Sequence, residues 1–156
     1  MIYDPFMQRA IDLSREAVET GEGAPFAAVV VKDGMIIGEG INRVAEAYDA
    51  TAHGEVEAIR DAGRRLGTWD LSGTALYTTC EPCAMCVAAI YWARIDRVYY
   101  ANTLADAEAL GFDIATLEAL VKSRPADRAT PYEPLMRESA HGVLEDWSRA
   151  PTFRSF

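Results

Sequence analysis

Ala75-Leu76-Tyr77-Thr78-Thr79-Cys80-Glu81-Pro82-Cys83-Ala84-Met85-Cys86 passes from a strand-forming run into a segment that opens on proline. Ala75-Leu76-Tyr77 marks a strand within Leu71 to Thr79. Pro82 then starts a helix reaching about Trp92, since its missing N–H costs nothing in a first turn and its φ is preset. Val98-Tyr99-Tyr100 follows as another strand. Upstream, Val56, Ile59 and Ala62 give a buried side to a helix from about Thr51 to Leu66. Before it, the apolar run Phe26 to Val31 meets Asp33-Gly34 and then Met35-Ile36-Ile37, which reads as two strands about a tight turn. A first helix from Asp4 or Pro5 to Glu19 places Phe6, Ala10, Leu13 and Ala17 on one side, with Gly21 and Gly23 closing it. Residues 42–52 read as a loop and 113–122 as a helix. Pro125, Pro131 and Pro134 interrupt the last thirty residues, leaving a short strand near Leu135-Met136 and a helix from His141 to Arg149. Helices alternating with strands predict an α/β sheet covered on both faces.

With 156 residues, no repeat and no linker, residues 1–156 read as a single domain large enough to need no disulfide staples. The start, Met1-Ile2-Tyr3-Asp4-Pro5, has no signal-peptide pattern, and no run approaches the ~20 apolar residues of a membrane span. A cytoplasmic protein is expected. The net charge of -9 argues against a partner carrying many phosphates. Arg64-Arg65, with Arg60 nearby, is the one basic cluster. A small uncharged substrate is favoured over a long nucleic acid or a membrane.

The three cysteines, Cys80, Cys83 and Cys86, fall within seven residues, a spacing that suggests metal or redox chemistry in a reducing compartment. Cys83 and Cys86, three apart on one face of a helix's first turn, combine with His53 of His53-Gly54-Glu55 into three metal ligands. That is the ligand number of a catalytic zinc site with one open position. Thr51 as a cap would put His53 and Glu55 in a first turn, so that two helix N-termini converge on one Zn2+ per chain and lower both thiol pKa values. Glu55 lies too close to His53 for both to ligate from a regular helix. A carboxylate there can instead carry a proton from water to a leaving amine. A structural zinc site would need a fourth protein ligand, which only His141 could supply as a histidine. Cys80 reads as a buried strand-end residue. His-x-Glu followed by Pro-Cys-x-x-Cys is the signature of zinc deaminases of nucleobases.

The chain also resembles the bacterial guanine deaminases of the cytidine-deaminase-like superfamily along most of its length. The residues that carry this are Ala24-Pro25-Phe26, Val31-Lys32-Asp33-Gly34, Asn42, Thr51-Ala52-His53-Gly54-Glu55-Val56, Tyr77 to Cys83, Ala89-Ile90-Tyr91-Trp92-Ala93-Arg94 and Gly111-Phe112-Asp113. The resemblance implies a three-layer α/β/α sandwich around a mixed five-stranded sheet. It implies zinc on His53, Cys83 and Cys86, and Glu55 as proton carrier. Asn42 and the Gly54 backbone would hydrogen-bond the base, with Phe26 and Trp92 against its ring. Asp113 would be either a recognition carboxylate or a helix cap. The implied reaction converts guanine to xanthine and ammonia. Other aminopurines, pterins, aminotriazines, purine nucleosides and cytosine-type substrates stand as alternatives, with a transfer-RNA adenosine or a non-catalytic zinc module behind them. A homodimer is implied too, with residues of about 150–156, Phe153 to Phe156 included, capping the partner's site. Three positions depart from the family pattern: Gly54 replaces the usual alanine, Ile114 a second acidic residue, and Phe156 a tyrosine.

Overall fold

A computed structural model describes residues 4–155. They divide into two units, one through Leu117 and one from Glu118 onward. In the first unit Asp4 accepts the N–H groups of Phe6 and Met7, both at 2.9 Å, and so caps helix α1 (Pro5–Thr20). Left-handed Gly21 ends it. Strands β1 (Ala24–Lys32) and β2 (Met35–Asn42) form a hairpin about Asp33-Gly34, whose positive φ values of 49° and 75° match the twist of the strands. Helix α2 (Gly54–Leu66), β3 (Thr74–Cys80), α3 (Ala84–Trp92), β4 (Arg97–Asn102), α4 (Leu104–Glu108) and α5 (Ile114–Lys122) follow.

The sheet runs β2-β1-β3-β4, antiparallel except for β3 and β4, which are parallel and joined through α3. Ala27 to Val31 of central β1 are all buried, which explains an apolar run without alternation. Val29 and Val31 face Phe6, Ala10 and Leu13 of α1. Ala28, Val30 and Leu76 face the opposite way, onto Ala58 and Ala62 of α2 and Ile90 of α3. The three-layer α/β/α arrangement is therefore present in this unit.

Helix α2 lies unusually close to the sheet. A methyl group at Gly40 of β2 would collide with the backbone of Ala58 and Gly54. A methyl at Gly54 would stand 2.9 Å from the Phe26 carbonyl oxygen. These contacts fix where α2 begins, and its beginning carries the site.

Four strands are present among the described residues, not five. The segment expected as a strand near Leu135-Met136 is not one: Met136 adopts a left-handed conformation, φ 54°, at the start of α6 (Arg137–Arg149). Pro131 and Pro134 before it also supply no backbone donor for a ladder. Helix α6 is longer than its apolar pattern indicates. Helix α4 was not expected; its five residues are too few for a period, and a reciprocal capping box between Thr103 and Asp106 defines it. The second unit holds the end of α5, a 3-10 turn at Pro125–Asp127 and α6, and none of its described residues is buried. No helix among the described residues is long and apolar enough to cross a membrane.

Candidate active site

The first helix N-terminus at the site is held by α2. His53 itself is the N-cap residue, with extended backbone, so Gly54 and Glu55 are the first two helical residues. Thr51 does not cap this helix: its hydroxyl bonds Asp49 at 2.7 Å and also accepts from Arg60. The second N-terminus is displaced in the same way. Cys83 is the N-cap of α3, with extended backbone, and Cys86 lies in its first turn, because the helix begins at Ala84 and not at Pro82. Both helices still direct their positive ends toward one point.

That point is bounded by His53 Nδ1, Cys83 Sγ and Cys86 Sγ. The two sulfurs are 3.8 Å apart, and the imidazole nitrogen is 3.7 Å from Cys83 and 3.5 Å from Cys86. A tetrahedral zinc with its usual bond lengths requires about 3.8 Å between sulfurs and about 3.6 Å from sulfur to nitrogen. The donor set and its spacing thus fit zinc. His141, the other histidine, lies on α6 with Nε2 3.5 Å from Glu145.

The charges are ordered. Hydrogen bonding to Cys86, and then to His53, holds the Cys83 thiol down at about 4. Cys86 moves the opposite way, raised by its hydrogen bond with Cys83 and by burial. Two negative sulfurs so close repel one another, so the pair gives up its first proton readily and its second reluctantly. His53 is raised, chiefly by its hydrogen bond with Cys83. Glu55 is 6% exposed, and burial raises its carboxyl above the ordinary range.

A cavity of about 100 Å³ opens beside these groups. Its polar lining comes from Asn42, His53, Glu55, Thr78 and Cys83. Phe26, Leu104, Ala107, Phe112 and Ile114 form an apolar wall. Phe26 and Phe112 meet edge to face, with centroids 5.5 Å apart. Asn42 Oδ1 accepts the Val44 N–H at 3.3 Å, which orients the amide nitrogen as the group it offers elsewhere. Cys80 is both a buried strand end and part of the lining.

Two expected residues lie elsewhere. Asp113 is exposed and its carboxylate accepts the Thr116 N–H at 3.1 Å, so it serves α5 as a cap and does not line the cavity. Trp92 ends α3, 55% exposed, edge to face with Tyr91, and is not among the lining residues. Phe156 lies outside the described residues. Leu104, Ala107 and Phe112 are site residues that the sequence reading did not single out. In the structure Glu81, just before the cysteine motif, accepts the Leu104 N–H at 3.1 Å and ties that wall to the metal centre, a contact between distant residues that local pattern does not announce.

Comparison with known proteins agrees with this geometry. Guanine deaminase from Bacillus subtilis (strain 168) is 46% identical over 132 residues, covering 85% of each chain. The X-ray structure of guanine deaminase from Bacillus subtilis superposes with a TM-score of 0.94 at 40% identity, over 100% of this chain and 99% of that one. A tRNA-specific adenosine deaminase from Agrobacterium fabrum (strain C58) is 48% identical over 95 residues, covering 61% of this chain and 62% of its own. Residues 2–102 match the family model for the cytidine and deoxycytidylate deaminase zinc-binding region. With that match spanning both metal-ligand motifs, the chain belongs to the zinc-binding cytidine and deoxycytidylate deaminase family.

Proposed function

We propose that this protein is a zinc-dependent aminohydrolase that converts guanine to xanthine and ammonia. The observation that carries the reading is the buried Glu55 carboxyl lining a small cavity beside His53, Cys83 and Cys86. Its likeness to the Bacillus guanine deaminase over most of both chains points to the base.

His53, Cys83 and Cys86 would hold the zinc, whose chemistry is Lewis acidity that makes water a nucleophile near neutral pH. Glu55 takes a proton from the attacking water and delivers it to the exocyclic amine, which leaves as ammonia when its bond to the ring carbon breaks and that carbon keeps the water's oxygen. Burial of its carboxyl suits a group that must both accept and give that proton. Asn42 donates its amide N–H to a ring acceptor, and the Gly54 N–H, at the first helical position with no partner inside the helix, donates to another. Phe26, braced by Phe112, packs against the ring.

The working form is proposed to be a homodimer whose C-terminal residues, about 150–156, cap the partner's site. Two features support it. Val87, Tyr91 and Trp92 of α3 are more than half exposed, as are Leu135, Val143 and Leu144 in the second unit. Apolar surface of that extent on two parts of one chain suits burial against a second copy. Trp92 is assigned to this surface. A reducing compartment, the cytoplasm, suits three cysteines without disulfides.

Ammonia release from zinc-loaded protein tests the reading, with guanine, guanosine, adenine, cytosine, cytidine, a pterin and an aminotriazine as substrates. Guanine is expected to release ammonia and yield xanthine. Release from another base alone would move the substrate and leave the chemistry standing. Release from none would overturn the proposal. The acidic chain makes transfer RNA the weaker reading, despite the 95-residue match to a tRNA-specific adenosine deaminase.

A further inference from the structure

Glu81 follows the last residue of β3 and stands two residues before Cys83, and it holds the chain that leaves β4 by two bonds. Its backbone N–H donates to the Asn102 carbonyl at 2.8 Å, and its carboxylate accepts the Leu104 N–H at 3.1 Å. Beside it, the Asn102 side-chain amide donates to the Thr79 carbonyl at 2.8 Å. Cys80 Sγ lies 3.7 Å from the Thr103 carbonyl oxygen. Residues 79–81 thus grip residues 102–104 on both sides of Thr103.

The grip bears on the cavity because Leu104 is the first residue of α4, a helix of five residues. Its N–H has no partner inside the helix, and so short a helix does not hold its own place. Thr103 and Asp106 close the first turn upon itself, whereas the Glu81 carboxylate joins that turn to the end of β3. From α4 the cavity receives Leu104 and Ala107. The Ala107 carbonyl accepts the Phe112 N–H at 3.4 Å, and Phe112 meets Phe26 edge to face in the same lining. One carboxylate thereby ties the apolar wall to the segment that carries Cys83 and Cys86.

We infer that Glu81 is a positioning residue: by holding α4 in register with the segment from Cys83 to Cys86, it sets how closely the apolar wall packs on the base. This rests on the purine deaminase reading above and adds a residue that is neither a metal ligand nor part of the cavity lining. An apolar wall makes no contact that depends on charge developing at the reacting carbon. It therefore binds ground state and transition state alike, and its displacement is read in KM rather than in kcat. A cap that serves stability alone would leave both constants unmoved in the folded protein.

The test compares the zinc-loaded wild type with Glu81→Ala and with Glu81→Gln, whose amide oxygen can still accept the Leu104 N–H. Ammonia release from guanine gives kcat and KM, metal analysis gives zinc content, and amide hydrogen exchange reports on Leu104 directly. In Glu81→Ala, KM is expected to rise about 5–20-fold, with kcat within about 3-fold of the wild type and zinc content unchanged. Exchange at Leu104 is expected to accelerate at least about 10-fold, while Val29 and Val30, buried in β1, stay protected. Glu81→Gln is expected to restore most of both effects. An unmoved KM, an unmoved Leu104 amide or a loss confined to kcat would overturn the inference and leave the guanine reading intact. So would zinc loss in Glu81→Ala, a loss of protection that extends to Val29 and Val30, or a Glu81→Gln as impaired as Glu81→Ala. Turnover of another base alone would overturn the guanine reading, and the same KM comparison with that base would decide the inference. Turnover of none by the wild type would overturn both.

Discussion

Four side chains, His53, Glu55, Cys83 and Cys86, were legible in the sequence because their chemistry requires fixed residue types at short spacing. Their exact positions on the helices were not, since both His53 and Cys83 precede the first helical turn they were expected to occupy. Trp92 and Asp113 show the opposite problem. Their type suits a base-binding role, but one ends a helix facing outward and the other is occupied as a cap. Gly54 has a clearer meaning in the structure than in the sequence. It is wedged against the Phe26–Ala27 backbone, so Gly54→Ala should cost about 1–3 kcal/mol and weaken zinc retention, measured by thermal unfolding and metal analysis. The three thiols should also separate by reactivity. With zinc chelated, a thiol reagent at pH 7 should modify Cys83 first, because it is held as thiolate, pKa about 4. Cys80, whose thiol burial pushes up, should react slowly under the same conditions. Equal rates at the two would contradict this electrostatic picture.

The strand–helix–strand β3-α3-β4 and the β1-β2 hairpin follow from local pattern: a proline at a helix start, an Asp-Gly turn, and apolar runs bounded by breakers. What local pattern leaves out is contact between elements. The depth at which α2 sits on β2 depends on Gly40, which in the sequence is one small residue between the Met35-Ile36-Ile37 strand and the loop of residues 42–52. Gly40→Ala should therefore displace the start of α2 and with it His53 and Glu55, lowering stability by at least about 1–3 kcal/mol. Gly142 in α6 has open space around its Cα, and Gly142→Ala should stabilise by about 0.5–1 kcal/mol through helix propensity alone. Urea unfolding of the pair separates crowding from backbone entropy; similar effects of both substitutions would contradict the close packing of α2. Helix α4 escaped notice because five residues carry no readable period, yet it supplies Leu104 and Ala107 to the cavity.

Val87, Tyr91 and Trp92 of α3 and Val143 and Leu144 of α6 are exposed apolar side chains. A sequence cannot show whether its own copy covers them, because the same residues pack against a partner or against the chain itself. In solution the protein is expected at twice its 17.1 kDa chain mass, by native mass spectrometry. Removal of residues 150–156 is expected to suppress turnover while zinc content stays the same. A fully active monomer would remove the capping role. In the proposed reaction Glu55 moves the proton beside a zinc held by His53, Cys83 and Cys86. That role is tested most directly by Glu55→Gln, with zinc content and ammonia release from guanine measured on the same preparation. One zinc per chain is expected in both proteins, with turnover reduced by about 10²–10⁴-fold in the variant. Undiminished turnover in a zinc-loaded Glu55→Gln would contradict it.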